Sequence, residues 1–187
     1  MGALQWEFND ADAPGVANLS VPITRDAAGA LLRGGPPASP LRARVIEPGR
    51  FADLLSLGFP SLYALSERLA AAIAPMTGAK LSPIEIDGGP AGYSLLGVTG
   101  RCGSVDYSRS AVIGRMGKFL ELRGLYVQEA TALVEFAVPD NRESILVTSR
   151  VADVIRTMKR SNIRLVKLDE VEFSITEEMI ARAGGLA

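Results

Sequence analysis

The fold is decided by two stretches that match each other, Leu65-Ser-Glu-Arg-Leu-Ala-Ala-Ala-Ile-Ala-Pro-Met76 and Val147-Thr-Ser-Arg-Val-Ala-Asp-Val-Ile-Arg-Thr-Met158. They align without gaps at one constant offset, which pairs Leu65 with Val147 and Arg68 with Arg150. Self-similarity at a fixed offset is the signature of a duplicated structural unit. We therefore expect the two stretches to fold in the same way.

Apolar side chains in both copies recur at i, i+3, i+4 and i+7, the spacing of one helix face. They are Leu69, Ala72, Ile73 and Met76 in the first copy and Val151, Val154, Ile155 and Met158 in the second. Ser66 in the first copy, and Thr148 or Ser149 in the second, are placed as N-caps that accept a backbone N–H. Because Pro75 interrupts the first copy near its end, we expect the second to be the better helix.

The match continues on both sides of the predicted helices. An apolar run precedes each helix, at 61–65 and 144–147. A spaced apolar pattern of the kind seen in strands follows each helix. Its members are Leu81, Ile84 and Ile86 in one copy and Ile163, Val166 and Leu168 in the other. The repeat units, about 61–87 and 144–169, are thus each predicted to contain an apolar run, a helix and a strand.

Strand signals dominate the rest of the chain, as apolar runs that are bounded by glycine or proline. These runs lie at 41–47, 91–98, 118–123 and 131–138. Residues 51–57, before Gly58, predict a short helix or turn. The patterns together predict an α+β fold, with short helices on mostly antiparallel sheets and the apolar run–helix–strand unit present twice. The length of 187 residues favours a single domain, 1–187, with two lobes as the alternative.

The composition excludes several kinds of catalytic site. The chain has no His, so it lacks the usual general base, the Ser-His-Asp and Cys-His nucleophile systems, and imidazole metal ligands. Its one Cys, Cys102, excludes an intramolecular disulfide and a multi-cysteine zinc site. The glycines of Gly97–Gly103 do not have the spacing of a dinucleotide-binding motif. We expect no catalytic residue, no metal and no cofactor.

The sequence predicts a cytoplasmic protein with no membrane partner. The segment MGALQWEFNDADAPG has no basic region followed by an apolar run, so a secretory signal is not expected. The longest apolar stretch, 69–76, is far shorter than the about 20 residues of a membrane-spanning helix. A formal net charge of −1 provides no overall field toward nucleic acid. Oligomeric state is left open by these features.

Three features occur in a fixed order along most of the chain: a lead-in at Glu47–Asp53, the stretch Tyr93–Ser110, and the duplicated unit around it. In this order they resemble the imm-eleven family of bacterial polymorphic-toxin immunity proteins. In that family a strand rich in Tyr and Leu is followed by an Asp near a Ser, and Asp106 and Ser110 fill those places. Gly97 stands where relatives more often carry Asn, so no role of that Asn transfers. The resemblance implies a cytoplasmic, non-enzymatic protein that neutralises a cognate toxin by binding it.

Charged side chains give the candidate partner-binding residues, which are Arg156, Lys159, Arg160, Arg101 and Asp106. The first three lie on the side of the second predicted helix away from its apolar stripe. They belong to segment 140–168, which has seven basic and three acidic residues and hence a net charge of +4. The other two lie in the loop 97–110. Such charges can select and steer a protein partner, although a merely solvated face is the simpler explanation.

Two other functions stay open. One is a small hydrolase or transferase that uses Asp106 with nearby hydroxyl groups, which would have to converge with a cation in a pocket. The hydroxyl groups are those of Ser104, Ser108 and Ser110. The other is nucleic-acid binding by the basic helix face, which predicts an affinity that falls steeply with salt. For Asp106 itself, a loop-organising role is the simpler prediction.

Arg68 and Arg150 occupy equivalent places early in their helices. A cation is disfavoured there, because the N-terminal end of a helix carries partial positive charge. We therefore expect each arginine to pair with a carboxylate from a neighbouring segment.

Overall fold

The structure is a computed structural model, and it describes residues 3–11, 13–37, 40–128, 133–176 and 178–179. Within these ranges the chain forms three α-helices and thirteen strands in mostly antiparallel sheets. This confirms the predicted α+β fold class. No helix among the described residues is long and apolar enough to cross a membrane.

The elements follow one another from β1 to β13. The strands are β1 (Leu4–Asp10), β2 (Asn18–Ser20), β3 (Leu41–Glu47), β4 (Leu54–Ser56), β5 (Tyr63–Leu65), β6 (Ala79–Asp87), β7 (Ser94–Val98), β8 (Ala111–Met116), β9 (Phe119–Arg123), β10 (Phe136–Ala137), β11 (Ile145–Thr148), β12 (Ile163–Lys167) and β13 (Glu172–Thr176). The helices are α1 (Arg25–Leu32), α2 (Glu67–Ile73) and α3 (Ser149–Thr157). Short 3₁₀ turns lie at Tyr107–Arg109 and Leu168–Glu170.

Both copies of the repeat have the same arrangement of strands. In the first copy, β4 and β5 lead into α2 and β6, and the neighbours in the sheet run β4-β5-β7-β6. In the second copy, β10 and β11 lead into α3 and β12, and the neighbours run β10-β11-β1-β12. The strands before and after each helix are both antiparallel to the strand between them, so they are parallel to each other. The predicted apolar run–helix–strand unit is therefore present twice, with an additional strand at its start.

The apolar stripes of α2 and α3 face one core. Leu69 and Ile73 of α2 and Val151 and Ile155 of α3 are almost completely buried in the same apolar cluster. α2 has seven residues and ends before Pro75, whereas α3 has nine, as the proline predicts. The core thus contains side chains of both repeat units.

The two helices differ at their N-termini. Ser66 caps α2 as predicted, because its hydroxyl accepts the N–H of Leu69 at 3.4 Å. Thr148 is the N-cap residue of α3, but its side chain makes no capping hydrogen bond. The Thr148 hydroxyl is buried and has no partner among the described residues.

Hydrogen bonds join the two repeat units in both directions. The buried side chain of Asn162, which follows α3, donates to the carbonyl of Leu54 at 2.7 Å and accepts its N–H at 3.0 Å. In the other direction, the carbonyl of Thr77, which follows α2, accepts the N–H of Phe136 at 3.0 Å. Leu54 and Phe136 are themselves equivalent positions of the repeat, at the same offset as Arg68 and Arg150.

A third sheet, in the order β13-β9-β8, covers a second apolar cluster. β9 and β13 contribute buried side chains to this cluster, which include Leu120, Leu122, Phe173 and Ile175. β8 contributes none and lies at the edge of the sheet. This edge strand is therefore available on the surface.

Two sequence predictions need correction. The helix or turn predicted at 51–57 is wrong, because Leu54–Ser56 form β4, which pairs with β5. A three-residue strand is too short to show a period, and its pairing with β5 determines its conformation. Of the strand predicted at 131–138, Phe136–Ala137 form β10, and residues 131–132 lie outside the described residues.

Candidate partner-binding surface

The two repeat arginines form the predicted ion pairs. Arg68 donates to Asp53 from Nε at 2.6 Å and from a second guanidinium nitrogen. Arg150 donates to Glu135 at 2.8 Å. Asp53 and Glu135 are separated by the repeat offset too, so the acid as well as the base belongs to the repeat. These four residues hold the start of each repeat unit against its helix.

The buried carboxylate of Asp53 accepts hydrogen bonds from more than one side chain. Its side chain is 6% exposed, and it accepts the Ser66 hydroxyl at 2.7 Å in addition to Arg68. Burial by itself raises the pKa of Asp53, but the hydrogen bonds from Arg68 and Ser66 outweigh burial and hold that pKa below its ordinary value. The carboxylate is therefore a structural anion, which is ionised in the fold at neutral pH.

The three basic residues at the end of α3 are exposed. The Arg156 guanidinium lies 4.2 Å from the ring centroid of Trp6 and donates to Asp153 at 3.0 Å. Lys159 and Arg160 follow directly after the helix, and Arg160 has a left-handed φ of 60°. Since Arg156 covers one face of the half-buried Trp6 ring, that face is not open for stacking with a base. These three residues form an exposed basic surface at the end of α3.

Arg101 lies apart from α3, and its contacts are with backbone carbonyls. It donates to the carbonyls of Val98 and Gly100 at 2.9 Å each and to that of Arg33 at 3.3 Å. These bonds join the end of β7 to the end of α1. Gly97 lies at the same contact, where a Cβ would come within 2.9 Å of the backbone of α1's C-terminal turn. This close approach explains why the smallest residue occupies position 97.

Asp106 has the loop-organising role that the sequence favoured. Its carboxylate accepts the backbone N–H of Ser108 at 3.1 Å and the Ser108 hydroxyl at 2.7 Å, which fixes the 3₁₀ turn before β8. The buried Ser110 hydroxyl donates instead to the carbonyl of Gly124 at 2.7 Å. Ser104 and Asp106 line a cavity of about 440 Å³, but its described lining includes neither of the other two serines nor any basic side chain. The convergence with a cation that a hydrolase requires is thus not found in the described part of the chain.

The β8–β9 hairpin carries an exposed apolar surface that the sequence analysis did not identify. The exposed fractions of its apolar residues are 55% for Val112, 44% for Ile113, 65% for Met116 and 37% for Phe119. They are four of the seven large apolar residues that are exposed within the described ranges. We call these four residues, with Arg115 and Lys118, the hairpin surface.

The register of the hairpin places its side chains on two faces. Met116 pairs with Phe119 and Arg115 pairs with Leu120. Directly paired residues share a face, and successive residues alternate between faces. Because Leu120 is buried, Met116 and Phe119 form an apolar pair on the outer face. A signal in the sequence was the apolar pair Val112-Ile113, which lies outside every strand that the sequence analysis predicted.

The hairpin surface is also basic. Residues 107–123 contain four basic residues and one acid, a net charge of +3. Arg123 pairs with Glu172 of β13, and the Arg109 guanidinium lies 4.5 Å from the ring centroid of Tyr126. The hairpin therefore combines exposed apolar side chains with an excess of positive charge.

Comparison of the chain with protein-family models gives no match, and comparison with curated proteins gives none either. The resemblance to the imm-eleven family therefore stays a prediction. Among the described residues, no group of three or more Cys, Asp or Glu side chains is placed to hold a metal ion.

Proposed function

We propose that the protein is a non-enzymatic immunity protein that binds a bacterial toxin in the cytoplasm and thereby neutralises it. The observation that carries the binding function is the hairpin surface. Large apolar side chains that cluster at an exposed site mark a surface for a partner. The ordered resemblance to the imm-eleven family supports a toxin as that partner.

The hairpin surface suits binding better than the other candidate residues do. Complete burial of one large apolar side chain contributes about 1.5–3 kcal/mol, and Val112, Ile113 and Met116 are each about half exposed or more. The end of α3 offers mainly the charges of Lys159 and Arg160. Exposed charges chiefly change the rate and selectivity of association. We therefore assign the central contact to the hairpin and a steering contact to α3.

The direct test is coexpression with the toxin encoded beside the gene for this chain. The wild-type chain should restore growth and co-elute with the toxin on size exclusion. Met116→Asp should weaken the complex by about tenfold or more, as for a central interface residue. Ile46→Asp is the matched control, because Ile46 is 57% exposed on β3, outside the hairpin. It should bind like the wild type.

Both variants should melt within about 4 °C of the wild type, since both substitutions are on the surface. Absence of growth rescue and of a complex with the wild-type chain would contradict the proposed function. Equal weakening by Met116→Asp and Ile46→Asp would remove the hairpin as the binding surface.

A further inference from the structure

A cavity of about 350 Å³ lies beside the second apolar cluster, between the start of β1, the end of β12 and the segment that follows β9. Four aliphatic side chains line it: Leu4, Leu125 and Val127, which belong to that cluster, and Leu168, which packs against it. Sites for small molecules are typically concave and mainly apolar, with volumes of about 300–1,000 Å³ and a few polar groups that orient the ligand. The volume and the aliphatic lining therefore suit the apolar part of a small ligand.

Two basic side chains and one acidic side chain complete the charged part of the described lining, a net charge of +1. Lys167 is exposed at the end of β12, and its ammonium group forms no hydrogen bond or ion pair with any described residue. Arg109 is exposed in the 3₁₀ turn before β8. The acidic side chain is that of Asp169, which is exposed as well. The lining thus has a small excess of positive charge.

The stacking of Arg109 leaves its hydrogen-bond donors available. Its guanidinium lies 4.5 Å from the ring centroid of Tyr126, which also lines the cavity. A stacked guanidinium is engaged through its flat face, whereas its N–H groups point outward in the plane of the group. Within the described ranges these N–H groups have no acceptor. Arg109 and Lys167 can therefore both donate to an anionic group at the cavity.

We propose that this cavity binds a small aliphatic carboxylate of the medium-chain fatty-acid type. The hydrocarbon chain packs against the four aliphatic side chains, and the carboxylate accepts charge-assisted hydrogen bonds from Lys167 and Arg109. A cationic amphiphile of the same length would be repelled by both bases. The described lining contains none of the residues of the hairpin surface, so this site is separate from the proposed toxin contact and does not depend on it.

Titration calorimetry of the full chain with three probes tests the chemistry of the ligand. Decanoate should bind at one saturable site, and decyltrimethylammonium should bind at least about tenfold more weakly because its charge is opposite. Butanoate should also bind at least about tenfold more weakly, since each buried CH₂ group strengthens binding by about fourfold. The first comparison tests the basic side chains, and the second tests the aliphatic lining.

Three variants test the residues. Lys167→Gln should weaken decanoate binding by about tenfold, as expected for the loss of a charged hydrogen bond. Asp169→Asn should strengthen it, because the substitution removes the one acidic side chain of the described lining. Arg164→Gln is the matched control, since Arg164 is an exposed base on the same strand that does not line the cavity. It should bind decanoate like the wild type, and all three variants should melt within about 4 °C of it.

Amide exchange locates the bound ligand. Decanoate should slow exchange in residues 125–128 and 165–169. Protection confined to 111–119 would place decanoate on the hairpin surface and would overturn the inference. So would the absence of saturable decanoate binding, equal affinity for decanoate and decyltrimethylammonium, or equal affinity of Lys167→Gln and Arg164→Gln for decanoate.

The toxin complex provides the last distinction. If the toxin binds the wild-type chain but not Lys167→Gln, and decanoate does not bind, the cavity belongs to a protein interface and the fatty-acid inference is wrong. If decanoate binds as expected but the toxin gives neither complex nor growth rescue, the proposed function is wrong and the ligand site stands.

Discussion

The pair of Asp53 and Arg68 makes the fold sensitive to acid. The pKa of Asp53 is lower in the fold than its ordinary value of 3.8, so the unfolded chain binds this proton more tightly. The stability from this pair is therefore complete above about pH 5 and is lost as the pH falls through the folded pKa. Asp53→Asn cannot titrate, so its unfolding free energy should fall less than that of the wild type between about pH 6 and pH 3.

Urea unfolding at a series of pH values measures this difference. At neutral pH the variant should be less stable than the wild type by about 1.5–3 kcal/mol, the contribution of hydrogen bonds to a charged group. Asp153→Asn is the control, because Asp153 is exposed on α3. It should retain the acid sensitivity of the wild type. An unchanged pH dependence in Asp53→Asn would refute the role of this carboxylate.

The sequence predicted that Arg68 and Arg150 need carboxylates, but it did not identify them. Asp53-Leu-Leu and Glu135-Phe-Ala do correspond at the offset of the repeat. No residue is identical between these two triplets, so an alignment based on identity ends before reaching them. Both triplets consist of an acidic residue followed by two apolar residues. The two copies therefore share residue types at these positions and not identical residues.

Each repeat helix is followed by a residue with left-handed backbone, Gly78 after α2 and Arg160 after α3. A Cβ at position 78 would lie 2.3 Å from the carbonyl oxygen of Phe136. Gly78→Ala should therefore cost more than the about 1–2 kcal/mol of the left-handed conformation alone. Arg160→Gly removes that strain and increases the freedom of the unfolded chain, so stability should change by less than about 1 kcal/mol.

Chemical denaturation of both variants measures this contrast between equivalent positions. Ser66→Gly is a useful reference, because it removes the cap of α2 without crowding Phe136. A Gly78→Ala protein as stable as Arg160→Gly would show that the turn after α2 can move away from β10.

At the scale of elements, local patterns were predictable and long-range pairings were not. The helix stripes and the strand at 41–47 follow directly from apolar spacing, and both are observed. The places of β1 and β7 in the centre of the two sheets depend on partners elsewhere in the chain, which a local pattern does not encode. The hairpin surface was missed for the same reason, because exposure of β8 is known only once its neighbours are placed.

At the scale of the molecule, Asn162 joins the two repeat units. Asn162→Ala leaves the N–H and the carbonyl of Leu54 buried without their partner, at a cost of about 1–3 kcal/mol for each group. Because one apolar cluster contains side chains of both units, the variant should still unfold in a single transition. Calorimetry should show a lower midpoint with one peak.

Asn141→Ala provides the matched control, because Asn141 binds the backbone of Val105 in the same manner beside the third sheet. Amide exchange should increase in α2 and α3 for Asn162→Ala, and near Val105 for Asn141→Ala. Two separate peaks for Asn162→Ala would show instead that the repeat units unfold independently.

The position of β1 between β11 and β12 has a consequence for synthesis on the ribosome. The first repeat unit has its central strand, β7, directly after β6, so its strands can pair as soon as that segment emerges. The second unit is built around β1, which precedes the first unit in the chain, and it closes only when β12 is complete. Until β11 emerges β1 has two open edges on the nascent chain, and until β12 emerges it still has one, where a chaperone or a neighbouring polypeptide can reach it. Translation that stops within α3 should therefore leave the β12 side of β1 uncovered, and the product should aggregate through β1.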